Sequence, residues 1–333
     1  MNRVVLIIAV AAAYTIAAPA FAQSTKSAPK AAPPAKAATP AKEPAAPKGD
    51  PNVDLAFGAY QRGHYLTAFN EATKRVEEKN DPKAMTLLAE LYANGFGVKQ
   101  DDAKAAEWYR LAAERGDREA MFALAMFRIG GRGGAKSLDD AAKLFASAAK
   151  LGHAASAYNL ALLYIEGQQF PQDFARAAEL LRQAANAGSP EAQYALGTFY
   201  KDGRGVQKDE KEAAKLMGAA AVAGNLDAMT EYSIALYNGT GVAKDEAAAA
   251  ALLLRAAKRG SPIAQNRLAR VLASGRGLPA DPVEAVKWHL ISKASGATDL
   301  FLDDFARKQT PSVREAAEKA AKPWLDIIAA SRS

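Results

Sequence analysis

The sequence repeats itself at a fixed interval of 36 residues, and no other feature constrains the fold as much. GFGVKQDDAKAAEWY, starting at Gly95, returns as GRGGAKSLDDAAKLF at Gly131, GQQFPQDFARAAELL at Gly167, GRGVQKDEKEAAKLM at Gly203, GTGVAKDEAAAALLL at Gly239 and GRGLPADPVEAVKWH at Gly275, with no insertion. Six units therefore run from Asp81 to Gly296. A constant period of this length is the mark of a solenoid, in which each unit covers the apolar face of its neighbour.

Local signals divide each unit into two helices. The first opens on a cap, often followed by proline, as in Asp81-Pro82, Ser189-Pro190 and Ser261-Pro262. The cap offers an oxygen acceptor, and proline at the first helical position needs no donor. Ala84, Leu88 and Leu91 share one face of this helix in unit one. The Gly-x-Gly loop ends it, because glycine adopts positive φ at little cost. The second helix starts from a single column: Asp101, Ser137, Asp173, Asp209, Asp245 and Asp281. Asp209 with Glu212 and Asp281 with Glu284 have the spacing of capping boxes. A large residue follows (Trp108, Leu144, Leu180, Leu216, Leu252, Trp288), then a pair of alanines such as Ala112 and Ala113, and a glycine closes the unit.

These columns resemble the Sel-one-like repeat, a relative of the tetratricopeptide repeat. In unit one the shared residues are Ala84, Leu88, Tyr92, Gly95, Gly97, Val98, Asp101, Lys104, Ala105, Trp108, Tyr109, Ala112, Ala113, Gly116 and Asp117. The resemblance implies an all-α fold, a right-handed superhelical solenoid of helix-turn-helix repeats whose first helices line a concave face. It also implies a role in protein interaction, such as restraining a sensor kinase's periplasmic domain or scaffolding an envelope complex. Three departures stand out: Arg128 replaces the aromatic of unit two, Gln169 the second glycine of unit three, and Ser292-Lys293 the alanine pair of unit six.

The flanks differ in kind from the repeats. Residues 1–22 give Arg3, an apolar run from Val4 to Ala13 and the small-x-small ending Ala20-Phe21-Ala22, the pattern of an export signal cut before Gln23. Periplasmic localisation is therefore expected, with no membrane span after cleavage. Residues 23–52 form an Ala/Pro/Lys-rich linker whose composition cannot bury enough apolar surface to order itself. Residues 53–80 read as an N-terminal capping half-repeat and 297–333 as C-terminal capping helices carrying Trp324. Five lysines against Glu43 and Asp50 between residues 23 and 50, together with Arg3, account for most of the +7 net charge, leaving +3 for residues 51–333. Nucleic acid is not implied by that balance. The linker lysines are a solvated spacer or, alternatively, make weak contact with anionic envelope polymers. The chain has no cysteine, so it can hold neither a disulfide nor a thiolate metal site.

Catalytic readings have little to stand on. GGRGGAKS, Gly130 to Ser137, approaches a phosphate-binding loop, but Ala135 stands where glycine must precede the lysine, and a helix rather than a strand precedes it. Ser147 and Lys150 have the spacing of a serine acylase, which keeps an enzyme acting on cell-wall peptides or β-lactams as an alternative, although the partner motifs are missing. His64, His153 and His289 have no metal-ligand spacing. No cofactor, metal or catalytic residue is expected.

Binding is the better prospect, and the first helices show where. Opposite the packing stripe, unit one carries Thr86, Glu90 and Ala93, and unit six Asn266, Arg270 and Ala273. The same columns read Phe122, Met126, Ile129; Tyr158, Leu162, Ile165; Tyr194, Thr198, Lys201; and Thr230, Ile234, Tyr237 in the units between. The stripe is polar at the ends and apolar in the middle. Phe122, Met126, Tyr158, Leu162, Tyr194 and Tyr237 are thus candidates for a concave face that binds another protein. Packing between neighbouring units would account for the same pattern.

Overall fold

The structure, a computed structural model, describes residues 54–331, and the proposed export signal and linker lie outside them. Among the described residues all regular structure is helical. The six first helices are α3 (Pro82–Asn94), α5 (Arg118–Gly130), α7 (Ala154–Glu166), α9 (Pro190–Asp202), α11 (Leu226–Asn238) and α13 (Pro262–Ser274). The six second helices are α4 (Asp102–Glu114), α6 (Leu138–Lys150), α8 (Phe174–Asn186), α10 (Glu210–Val222), α12 (Glu246–Lys258) and α14 (Pro282–Ala294). Each packs against its neighbours in chain order, the arrangement of an α-solenoid. Before them stand α1 (Leu55–Gln61) and α2 (Tyr65–Lys79); after them come α15 (Leu300–Arg307) and α16 (Pro311–Ala330).

The cap column behaves as the sequence requires. Asp101, Asp173, Asp209, Asp245 and Asp281 each accept a hydrogen bond from an amide in the first turn of the second helix, as does the Ser137 hydroxyl. The capping boxes form only by half. The Asp209 amide already donates to the Tyr200 carbonyl at 2.9 Å and that of Asp281 to Leu272 at 3.0 Å, so neither needs a glutamate. Glu212 instead takes Lys215 at 3.1 Å, and Glu284 takes Lys287 at 2.8 Å and the Trp288 indole at 3.0 Å.

The loop glycines serve stacking as well as turning. Gly205 and Gly241 have φ of 68° and 69°, and a β-carbon on either would lie 2.1 Å from the Phe174 carbonyl oxygen or 1.9 Å from that of Glu210. Each loop thus presses on the first turn of the preceding unit's second helix. Arg132 adds a fork to the same place, donating to Asp102 at 3.1 and 2.7 Å, and Arg276 reaches Glu246 at 2.7 Å. In unit three, where glycine is missing, Gln169 donates to Asp139 instead.

The core combines alanines with large residues from both helices of each unit. In the second helices the predicted large column is buried in units three and six (Leu180, Trp288), whereas Trp108, Leu144, Leu216 and Leu252 are only half-buried and the next position, Tyr109, Phe145, Leu181, Met217 and Leu253, is buried instead or as well. Alanines on both sides, such as Ala141, Ala142, Ala148 and Ala149, bring the helices close enough for these residues to fill the interface. At the C-terminal end Trp324 of α16 meets Trp288 edge-on, ring centroids 5.4 Å apart.

Candidate protein-docking face

All six candidate residues are half-buried, neither sealed in the core nor free of it. Their surroundings differ. The Phe122 ring lies 5.9 Å from that of Phe145 and 4.8 Å from the His153 imidazole, and the Arg276 guanidinium stands 4.8 Å from the centre of the Tyr237 ring. Met126 and Tyr158 rest on the core of units two to four, and Tyr194 on that of units four to six. Tyr158 and Leu162 sit one turn apart on α7. In unit one the corresponding residues Thr86 and Ala93 are buried, so there the columns belong to the core.

The face continues from unit to unit. Lys201 of α9 bonds Glu231 of α11 at 2.7 Å, and Glu119 of α5 bonds His153 at 3.0 Å. Burial raises the Tyr194 hydroxyl to about 12, aided by the charges of Asp227 and Glu231. Burial, with Glu191 second, likewise pushes Tyr158 up. At the N-terminal end, burial lifts Glu90 to about 7, with Glu119 and Asp117 adding repulsion.

One arrangement that the sequence reading did not find resembles a catalytic triad. His153 Nδ1 lies 2.8 Å from Ser156 Oγ, and Nε2 lies 3.0 Å from Glu119 Oε2. Nδ1 also accepts the Ser156 amide at 3.1 Å, which makes His153 the N-cap of α7. Ser156 is fully buried, so a substrate cannot reach its hydroxyl. The signal for this cap was the column Asp81, Asp117, His153, Ser189, Asn225 and Ser261, which places a cap acceptor every 36 residues.

The two motifs with a catalytic look are likewise part of the framework. Ser147 donates to the Lys143 carbonyl of its own helix at 3.0 Å. The glycine loop before Lys136 follows helix α5, and Ser137 caps α6 by accepting from the Asp140 amide at 3.2 Å. Among the described residues no cluster of His, Asp and Glu could hold a metal, and no helix is long and apolar enough to cross a membrane. Two depressions open to solvent lie around Lys208 and Asp209, one lined also by Glu210, Lys211 and Gly241 and the other by Arg182, Tyr200, Val206 and Gln207.

A stack of helix pairs with caps at each junction defines a helical-repeat interaction scaffold. The Sel1 repeat matches residues 82–117, 118–153, 154–189, 190–225, 226–261 and 262–296, so the chain belongs to the Sel1 repeat family. Two solved structures are similar. A Sel1 repeat protein from Oxalobacter formigenes shares 27% identity at a TM-score of 0.61, over 74% of this chain and 100% of that one. A protective antigen of uropathogenic Escherichia coli with an SLR fold shares 25% identity at a TM-score of 0.57, over 82% of this chain and 67% of that one. A search of curated proteins returns no match.

Proposed function

We propose that this protein is an exported adaptor that holds a segment of a partner protein against the first-helix face of units two to five. The observation that carries this reading is the contrast between neighbouring columns. Ala157, Leu160 and Leu163 are buried and supply the packing of α7, whereas Tyr158 and Leu162 on the same helix stay half-open. A tyrosine that offers ring area and a hydroxyl at low entropic cost suits a binding surface better than a structural one. Residues 1–22 support delivery to the periplasm, where the partner would be an envelope complex or a sensor kinase's periplasmic domain.

Photo-crosslinking in the producing cell tests the surface. A benzophenone amino acid placed at Tyr158 or Tyr194 should trap a defined partner band, and the same group at Lys215 on the second-helix side should not. Equal trapping at all three positions, or trapping from Lys215 alone, would remove this face from consideration. Export is tested by intact mass: the chain in envelope fractions should begin at Gln23, and retention of Met1 there would refute cleavage.

A further inference from the structure

The N-terminal junction of the stack is made of aromatic rings where the later junctions use polar groups. At the loop position of Phe96 the later units carry Arg132, Gln168, Arg204, Thr240 and Arg276, and Arg132 and Arg276 donate there to a carboxylate of the preceding second helix. Phe96 instead stacks on Tyr65 at the start of α2, ring centroids 4.6 Å apart and planes 14° from parallel. The row continues through Tyr60, 6.5 Å from Phe96, to Phe57, 6.3 Å from Tyr60. Gly97 makes the approach possible, since a β-carbon on it would stand 2.8 Å from the Tyr65 backbone.

The packing beneath these rings is alanine. Ala56, Ala59, Ala68 and Ala72 are buried between α1 and α2, while Tyr60, Tyr65 and Phe96 stay half-buried, Phe57 is 46% exposed and Leu66 62% exposed. An aromatic row open along one side suits proline, which lays its ring on aromatic faces and has no amide donor to leave unpaired. The chain carries such a ligand close by. Between residues 23 and 53 one pair of prolines is spaced three apart, Pro44 and Pro47. In a polyproline II helix that spacing is one turn of about 9 Å, so both rings face the same side at an interval the three-ring row can meet.

The connection between ligand and row favours contact within one chain. Pro44 and Pro47 lie outside the described residues, which begin at Asp54. Asp54 is fixed beside the row, accepting the Phe57 amide at 3.0 Å and pairing with Arg75 at 2.6 Å. Six residues separate Pro47 from Asp54, and Gly49, Asp50 and Pro51 among them have the composition of a turn. A stretch of that length spans at most roughly 20 Å, about twice the length of α1, enough to carry the prolines back over Phe57. We propose that Pro44 and Pro47 dock as one polyproline II turn on Phe57, Tyr60 and Phe96 of the same chain, latching the linker to the first repeat. The linker's composition cannot order it alone, but a preformed surface supplies the missing apolar contact, and the tether holds the two at a roughly millimolar effective concentration. The inference is independent of the tyrosine face of units two to five.

Photo-crosslinking in the whole purified chain tests the latch. A benzophenone amino acid at Glu43 should link within one chain to peptides containing Phe57, Tyr60 or Phe96, read by mass spectrometry after digestion. Two variants separate docking from mere nearness. Pro44→Ala, Ala45→Pro, Ala46→Pro and Pro47→Ala together keep composition and tether but break the spacing, and should lower that yield at least about threefold. Phe57→Ser, at an exposed position, should lower it similarly with an unchanged melting temperature. A yield that survives the exchange of prolines, a yield that survives Phe57→Ser, or links scattered along the repeats would overturn the proposal. So would the same links found only between two chains, because the occupant would then be the linker of a second copy.

Discussion

Units three and six use the same two columns in opposite ways. In unit six, Asn266 and Arg270 both turn onto Asp299: Asn266 donates at 3.0 Å, and Arg270 forks onto it at 2.6 and 2.8 Å. Asp299 in turn caps α15, accepting from the Phe301 and Leu302 amides at 3.1 and 3.2 Å, and its side chain is 5% exposed. The end of the array closes on itself through these contacts. In unit three Tyr158 and Leu162 occupy those columns, half-buried and with another repeat following rather than a terminal cap. A repeat position is thus structural where the array stops and available where it continues.

The sharpest break in this comparison comes from residues that only stack. Gly241→Val forces a side chain onto the Glu210 carbonyl at positive φ and should cost about 2–4 kcal/mol in urea unfolding without changing partner trapping at Tyr158. Asp299→Ala removes the cap of α15 and leaves Arg270 without its fork, for about 2–3 kcal/mol, again with trapping unchanged. Glu90, the unit-one counterpart of Arg270, gives a smaller effect with a defined sign. Its carboxyl protonates near pH 7 in the fold against 4.5 for an ordinary glutamate, so the native state holds the extra proton between those values. Stability therefore falls as pH rises through that window, and the cost is fully present above about 7. Glu90→Gln should gain on the order of 1–2 kcal/mol at pH 8 and almost nothing at pH 4, measured as parallel unfolding curves. A gain independent of pH would place the effect outside ionisation.

Much of this architecture is legible in the sequence because caps and turns are local. The aspartate column, the proline starts and the loop glycines each act within a few residues, and all stand where the 36-residue period puts them. What crosses between helices is harder to read. Glu212 and Glu284 have capping-box spacing, but carbonyls of the preceding helix had already taken the amides they would have reached. The column of Trp108 and Leu144 is larger on average than its neighbour, yet the alanine pairs on either side turn Tyr109 and Phe145 into the interface instead. His153 showed only a lack of metal-ligand spacing because histidine is a rare cap; the Ser156 amide donating to Nδ1 makes Nε2 the donor to the Glu119 carboxylate of the preceding unit. The proposed docking face was legible as apolar character along one helical column, because side chains five and nine positions into each first helix lie one turn apart.

The central claim is that the tyrosine column of the middle units is spare to folding and needed for binding. Tyr158→Ala tests it when its unfolding free energy is measured beside the crosslinking yield from a benzophenone at Tyr194, with Phe145→Ala as the core reference. Tyr158→Ala should lose about 1 kcal/mol or less and abolish most of the crosslink, whereas Phe145→Ala should lose about 3–5 kcal/mol. A loss for Tyr158→Ala as large as that for Phe145→Ala, with the crosslink at Tyr194 intact, would show that the column is core and contradict the account.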